Sequence, residues 1–357
     1  MAIYPQSETD RRVAAADLSR VVTDIFVACR MSDEDAHLLA DTLVHADLRG
    51  VHSHGTLRVP DYVKKLTKDG VNPRGRPRIV GGRGAAIVVD ADNSMGQITG
   101  TFAMQAAIER AREHGLAFAA VRGSNHCGAM DWYTLMAARA DMVGLAGTNA
   151  LPTMAPWGGA EKIVGINPLS VAFPAKHEKP FVLDFAFGAT AHGKIRVYHQ
   201  KSSPIPEGWA FDKDGHPTTD AAAALDGLIQ PIGGHKGVGL GMAVGMLSSL
   251  LSGAAYGTQS GNMVDGAKVG TDGHFFMAID IAAFADAETV ETRVDGIIAE
   301  VHHSLFGPGT ERLFVPGEIE ADFEAEYRAR GILLPQETVA GIETAAASLD
   351  VKAHLST

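Results

Sequence analysis

The sequence predicts a mixed α/β fold whose sheet is largely antiparallel. Three observations point there. Short β-rich runs are concentrated in the middle of the chain, at AAIVVDA (85–91), LAFAAVR (116–122), VGLAGTN (143–149), LSVAFPA (169–175), PFVLDFA (180–186) and HFFMAID (274–280). Helical stretches, near 99–114 and 129–141, separate only some of these runs. The others are adjacent, which implies hairpins rather than a strictly alternating parallel sheet.

The elements follow in order. Ser32 opens SDEDAHLLADTLVHADLRG with Asp35 three residues later, a capping-box pattern, and Leu39, Leu43 and Ala46 then share a helical face. A second helix is expected from about Thr56 to Lys68, with Val59, Val63 and Leu66 inward; Pro60 fits only in its first turn. The linker 71-VNPRGRPR-78 precedes the β-rich region. Long helices are expected at about 235–253, 286–304 and 318–330. A chain of 357 residues corresponds to two or three structural units.

Composition narrows the function. The net charge of −11 argues against nucleic acid and anionic membranes as partners, because a phosphate backbone calls for clustered Lys and Arg. The two cysteines, Cys29 and Cys127, make neither a disulfide framework nor a four-thiolate zinc site and suggest a reducing, cytoplasmic setting. MAIYPQSETDRR lacks the layout of a signal peptide. The apolar stretch 238–257 has the length of a membrane span, but its glycines and serines read as a buried core helix.

Four constellations could carry chemistry. His52, Ser53, His54 and Arg58 fall within seven residues after a helix. Histidine exchanges protons near neutrality, and arginine offers a planar fork that fits a carboxylate. If the turn is helical, His54 and Arg58 lie four apart on one face, a donor and a clamp suited to a 2-oxo or 2-hydroxy acid. A structural, hydrogen-bonded histidine is the alternative. The second, 123-GSNHCGAMDWY-133, follows a strand and opens a helix, either as an anion site or as an ordinary cap supplied by Ser124 or Asn125. The third, 233-GGHKGVGLG-241, places His235 and Lys236 among glycines that either approach a phosphate or allow tight packing. It is not a Rossmann fingerprint: the glycine order is wrong and no acid follows about twenty residues on. The fourth comprises Asp184, at a strand end as a sugar ligand or a cap, and Arg312 in the loop 306-FGPGTERLFVPGE-318. Without HExxH or metal-spaced cysteines, no metal is expected.

Taken together and in order, ADLRGVHSHGTLRVPDY (46–62), SNHCGAMDWYTLMAARADMVGLAGTNALPTMAPWGG (124–159), GINPLSVAFP (165–174), the run from AHGKI to HPTTD (191–220), PIGGHKGVGLG (231–241) and VPGE (315–318) resemble the malate/L-lactate dehydrogenase family that lacks a Rossmann domain. That family includes ureidoglycolate and sulfolactate dehydrogenases, diketogulonate reductase and ring-imine reductases. The resemblance implies a homodimer with a largely antiparallel, non-Rossmann cofactor domain and a helical domain formed from both chain ends. The boundaries are 1–75 plus 320–357 for the helical part and 76–319 for the NAD(P) part, with an inserted helical segment around 218–255. It implies His54 as acid/base catalyst supported by Ser53, Arg58 as carboxylate clamp, and His192 and Gly193 bordering the substrate. NAD or NADP contacts carry over to His126, Cys127, Gly128, Ala129 and Met130, to Asp184, Phe185 and Ala186, to His235 and Lys236, and to Thr310, Glu311, Arg312 and Leu313.

Some positions depart from the family pattern. Ile166 stands where GTNP is common, Asp184 to Gly188 replace D-M-A-T-S, and Lys194 occupies a place where ring-imine reductases would be expected to carry an acid. The expected activity is hydride transfer between a nicotinamide cofactor and a small 2-oxo/2-hydroxy acid. Reduction of a cyclic imine such as piperideine-2-carboxylate is the alternative on the same fold, and a histidine-rich metallohydrolase is the alternative of another class.

Overall fold

The computed structural model describes residues 8–260, 263 and 266–355; the first seven residues, part of the segment read for a leader, lie outside them. The first helices are α1 (Ala15–Ala28), α2 (Asp33–Leu48) and α3 (Val59–Thr67). The sheet region follows: β1 (Arg78–Arg83), β2 (Ala86–Asp90), α4 (Gly96–His114), β3 (Leu116–Ser124), α5 (Asp131–Ala138), β4 (Met142–Thr148), β5 (Leu169–Phe173) and β6 (Phe181–Phe185). Then come α6 (His192–Gln200), α7 (His235–Ser249), β7 (Asp272–Asp280), α8 (Ala287–His302), α9 (Glu318–Arg330) and α10 (Gln336–Ala347).

The seven strands run in the order β1-β2-β3-β7-β4-β5-β6. Every neighbouring pair is antiparallel except β2 and β3, which are parallel and joined through α4. A parallel pair needs a crossover, and α4 supplies it, ending on Gly115 in the left-handed region at φ 82°. The predicted runs all became strands. β1 was not foreseen; its sequence RIVGGR is exposed along its length and bulged between Ile79 and Gly81, so it shows no alternating apolar face.

Both chain ends meet in one apolar core. Leu18, Val21, Val22, Ile25 and Phe26 of α1 recur at helical spacing and are buried against Leu39 and Leu43 of α2, Tyr62 and Leu66 of α3, and Val339 and Ile342 of α10. A strand at Arg11–Val13 pairs antiparallel with Ile332–Leu334 and ties the ends together. The Ser32 cap holds, its hydroxyl accepting the Asp35 N–H, and Pro60 sits in the first turn of α3. In α7, three glycines answer to packing: a Cβ on Gly237 would stand 1.8 Å from the Ile232 carbonyl oxygen, one on Gly241 3.2 Å from Phe187 Cβ, and one on Gly245 2.5 Å from Asn167 Nδ2. Among the described residues no helix is long and apolar enough to cross a membrane.

Candidate active site

The turn between α2 and α3 is not the α-helical turn that the spacing suggested. His52–His54 and Thr56–Arg58 are two short 3-10 turns, broken at Gly55, which is extended. His54 and Arg58 therefore do not meet through i,i+4 geometry. They are joined through Ser53, because the chain folds back on itself: Arg58 Nε donates to the Ser53 carbonyl at 2.7 Å, and the Ser53 hydroxyl lies 2.9 Å from His54 Nδ1. Arg58 is buried, with Nη1 3.4 Å from Asp61, while Nη2 faces Gly193. A Cβ at position 193 would stand 2.7 Å from that nitrogen, so only glycine lets the first turn of α6 come this close.

His54 stacks on His126, ring centroids 5.5 Å apart and planes 15° from parallel. The orientation of His126 is dictated by its neighbours. The Gly128 N–H lies 3.3 Å from Nδ1, which makes Nδ1 an acceptor, and the Tyr62 hydroxyl donates to the same atom at 2.7 Å. Gln97 donates to the Tyr62 oxygen at 2.9 Å. The chain of donors from Gln97 through Tyr62 leaves the proton of His126 on Nε2.

Electrostatics keep both rings neutral. Burial, reinforced by the Arg58 charge, lowers His54 to about 4, with Asp131 opposing. Burial and the neighbouring His54 and Arg58 push His126 down as well. Beneath them lies an ionic cluster: Asp131 Oδ2 accepts from Arg49 Nε at 2.6 Å and lies 3.3 Å from His45 Nε2. Burial opposes ionisation of Asp131, but His45 and Arg49 hold its carboxyl below the ordinary range.

Several sequence expectations are corrected here. His52 does not share the site with His54; its Nδ1 bonds Asp47 at 2.7 Å and its ring stacks on Tyr327. Neither Ser124 nor Asn125 caps the following helix. Helix α5 begins only at Asp131, and its N-terminus is closed by Asp184, whose carboxylate accepts the Asp131 N–H at 2.8 Å. Asp184 thus caps this helix end. Phe185 packs on Phe187, and Ala186 lies between them.

Of the remaining expected residues, His192 and Gly193 open α6 beside Arg58, and Cys127 and Met130 are buried under the His126 loop. His235 and Lys236 open α7, whose Gly234 N-cap supplies no side chain, and His235 packs edge-on to Trp157. Thr310, Glu311 and Arg312 are exposed and Leu313 half-buried in a surface loop. Arg312 pairs there with Asp322 at 2.7 Å and covers Phe314, apart from the His54 cluster. Lys194 lies over Trp209 at 4.9 Å. Sequence reasoning missed Asp47, Tyr62, Gln97 and the His45–Arg49–Asp131 cluster. Tyr62 alone had a local signal, four residues after Arg58. Among the described residues no three His, Cys, Asp or Glu side chains converge as a metal site.

Comparison with known proteins gives the family. The chain matches the malate/L-lactate dehydrogenase family over residues 13–343. It is 40% identical over 301 residues to the L-sulfolactate dehydrogenase of Methanocaldococcus jannaschii, covering 84% of this chain and 87% of the relative. It is 38% identical over 316 residues to a malate dehydrogenase of Pyrococcus horikoshii, covering 86% and 87%. The crystal structure of malate dehydrogenase from Entamoeba histolytica superposes with a TM-score of 0.92 at 29% identity, covering 96% of this chain and 99% of the other. The family match over nearly the whole chain, together with these relatives, makes the chain an oxidoreductase of the malate/L-lactate dehydrogenase family.

Proposed function

We propose that the chain transfers a hydride between a nicotinamide dinucleotide and C2 of a small 2-oxo/2-hydroxy acid. The observation that carries the reading is the pairing of a neutral, half-buried His54 with a buried Arg58 one peptide fold away. Arg58 receives the carboxylate. His54, oriented through Nδ1 by Ser53, presents Nε2 to the C2 oxygen. It takes the alcohol proton in oxidation and returns it in reduction, a role worth ~10²–10⁴ in rate. The nicotinamide supplies the hydride chemistry itself. Names of the relatives, sulfolactate and malate dehydrogenases, favour a hydroxy acid over a cyclic imine.

The residues present suit such a cofactor. Helix α7 begins at His235 behind two glycines of positive φ, Gly233 and Gly234, with no side-chain cap on its N-terminal amides. An anionic diphosphate would be held there by backbone N–H groups and Lys236. The N-terminus of α5, filled by Asp184, does not offer this. We assign Thr310 to Leu313 to cofactor contact only in the assembled oligomer.

The reading also includes a homodimer. Leu240, Leu247, Leu250 and Leu251 project outward from the α7 region, between 42% and 61% exposed, an apolar face of the sort that subunit contact covers. The domain division into 1–75 plus 320–357 and 76–319 belongs to the same reading, as does a reducing compartment for the free, buried Cys29 and Cys127.

The test is a panel of 2-oxo acids and cyclic imines scored by loss of NADH and NADPH absorbance, run on the native protein and on His54→Ala. Turnover of a 2-oxo acid that vanishes in the variant, with cofactor still bound, is expected. Near-normal turnover in His54→Ala removes the assignment.

A further inference from the structure

Asp47 lies in the last turn of α2 and is fully buried. Its carboxylate accepts three hydrogen bonds. Oδ1 takes the His52 Nδ1–H at 2.7 Å; Oδ2 takes the Thr56 N–H at 2.8 Å and the Thr56 hydroxyl at 2.6 Å. These partners stand two residues before and two residues after His54. One carboxylate therefore ties down both shoulders of the turn that presents the imidazole.

Gly55 fits the same construction. Its φ of −90° is open to any residue, so conformation does not demand glycine. Space does: a Cβ there would stand 2.1 Å from Asp47 Oδ1 and 2.4 Å from its Cγ. The strap extends outward as well, because His52 stacks on Tyr327 of α9, with centroids 6.1 Å apart. A buried carboxylate with charge-assisted bonds at both oxygens is a stiff anchor.

We infer that Asp47 is a positioning residue that sets the placement of His54, so that its loss lowers kcat rather than cofactor affinity. The inference rests on the proposed role of His54. Catalytic groups displaced by ~1 Å can lose ~10²-fold in rate. Asp47→Ala is expected to lower kcat by about that factor. Asp47→Asn keeps one acceptor oxygen and is expected to lose about tenfold, a partial rescue. Gly55→Ala, which forces the carboxylate aside, is expected to resemble the Asn variant. The cofactor dissociation constant should stay within twofold of native in all three.

The experiment measures kcat, the acid KM and cofactor binding on Asp47→Asn, Asp47→Ala and Gly55→Ala, with hydrogen exchange of amides 52–58. A kcat within twofold of native in a folded Asp47→Asn, or a matching loss of cofactor affinity, overturns the inference. Should Asp47→Ala not fold, the Asn and Gly55 variants decide by the same criteria. Were the native protein inactive on every acid, the dehydrogenase reading would fail, while unchanged exchange of 52–58 in Asp47→Asn would separately defeat the anchoring.

Discussion

Replacing Arg58 by glutamine perturbs the site in two separable ways. The first is loss of the clamp. A hydrogen bond to a charged group contributes ~1.5–3 kcal/mol, so the KM for the acid should rise roughly 10- to 150-fold. The second is electrostatic. Burial is the main force lowering His54 to about 4, and the Arg58 charge adds to it. At a value of 4, only about one ring in a thousand is protonated at pH 7. Oxidation of a hydroxy acid needs the neutral ring, so kcat/KM should hold level at neutral pH and fall on acidification through the His54 value. Without the guanidinium, that value moves up towards ~6.5, though only part of the way because burial remains. The assay is the pH profile of kcat/KM for oxidation, followed by absorbance of the reduced cofactor, for native and Arg58→Gln enzymes. A raised KM with an acid limb that stays put or moves down would refute the claim that the two side chains share one site.

Three further outcomes are expected. Gly193→Ala places a methyl 2.7 Å from Arg58 Nη2 and should raise the acid KM about tenfold, as ~1.4 kcal/mol of clamp is lost, with cofactor binding unchanged by fluorescence titration. Tyr62→Phe removes the hydroxyl linking Gln97 to His126, so Gln97 Nε2 loses that partner and His126 Nδ1 keeps the longer Gly128 N–H bond; thermal melts should show a loss of ~1–3 kcal/mol, and kcat should fall as His126 is loosened. Buried His274, held between Thr148 and Ser124, is lowered by burial to about 4, whereas unfolded histidine titrates near ~6.5. The unfolded chain then binds more protons between these values, so stability falls as pH drops through that window. At pH 5 this ring should account for about 2 kcal/mol of the decline in urea melts, and a pH-independent midpoint between 7 and 5 would contradict it.

How much of this could be read in the sequence follows from how local each feature is. The six runs of apolar and β-branched residues became strands because each is a short local apolar run, alternating in burial at Ala86–Asp90 and Leu169–Phe173 and buried on both faces at Met142–Thr148, and Ser32 capped α2 through a bond three residues long. The parallel step between β2 and β3 depends on where α4 crosses, which no local pattern states. The HSHGTLR cluster was visible as chemistry, but its geometry was not. Gly55 breaks the helix, and backbone folding rather than spacing joins Arg58 to Ser53. The cap of α5 comes from Asp184, 53 residues away, and Gln97 reaches Tyr62 across 35. Asp47 looked like one more acid near a helix end; only the fold turned it inward onto His52 and Thr56. Family resemblance put Arg58 and Gly193 separately beside the substrate; their direct approach, across 135 residues, is visible only in the fold.

The most direct measurement is a crystal structure of the protein with reduced cofactor and an inert 2-oxo acid analogue such as oxamate. The carboxylate is expected on the Arg58 guanidinium and the C2 oxygen within hydrogen-bonding distance of His54 Nε2, with the nicotinamide against C2. An analogue seated away from either side chain, or a cofactor bound where its nicotinamide does not reach His54, would contradict it.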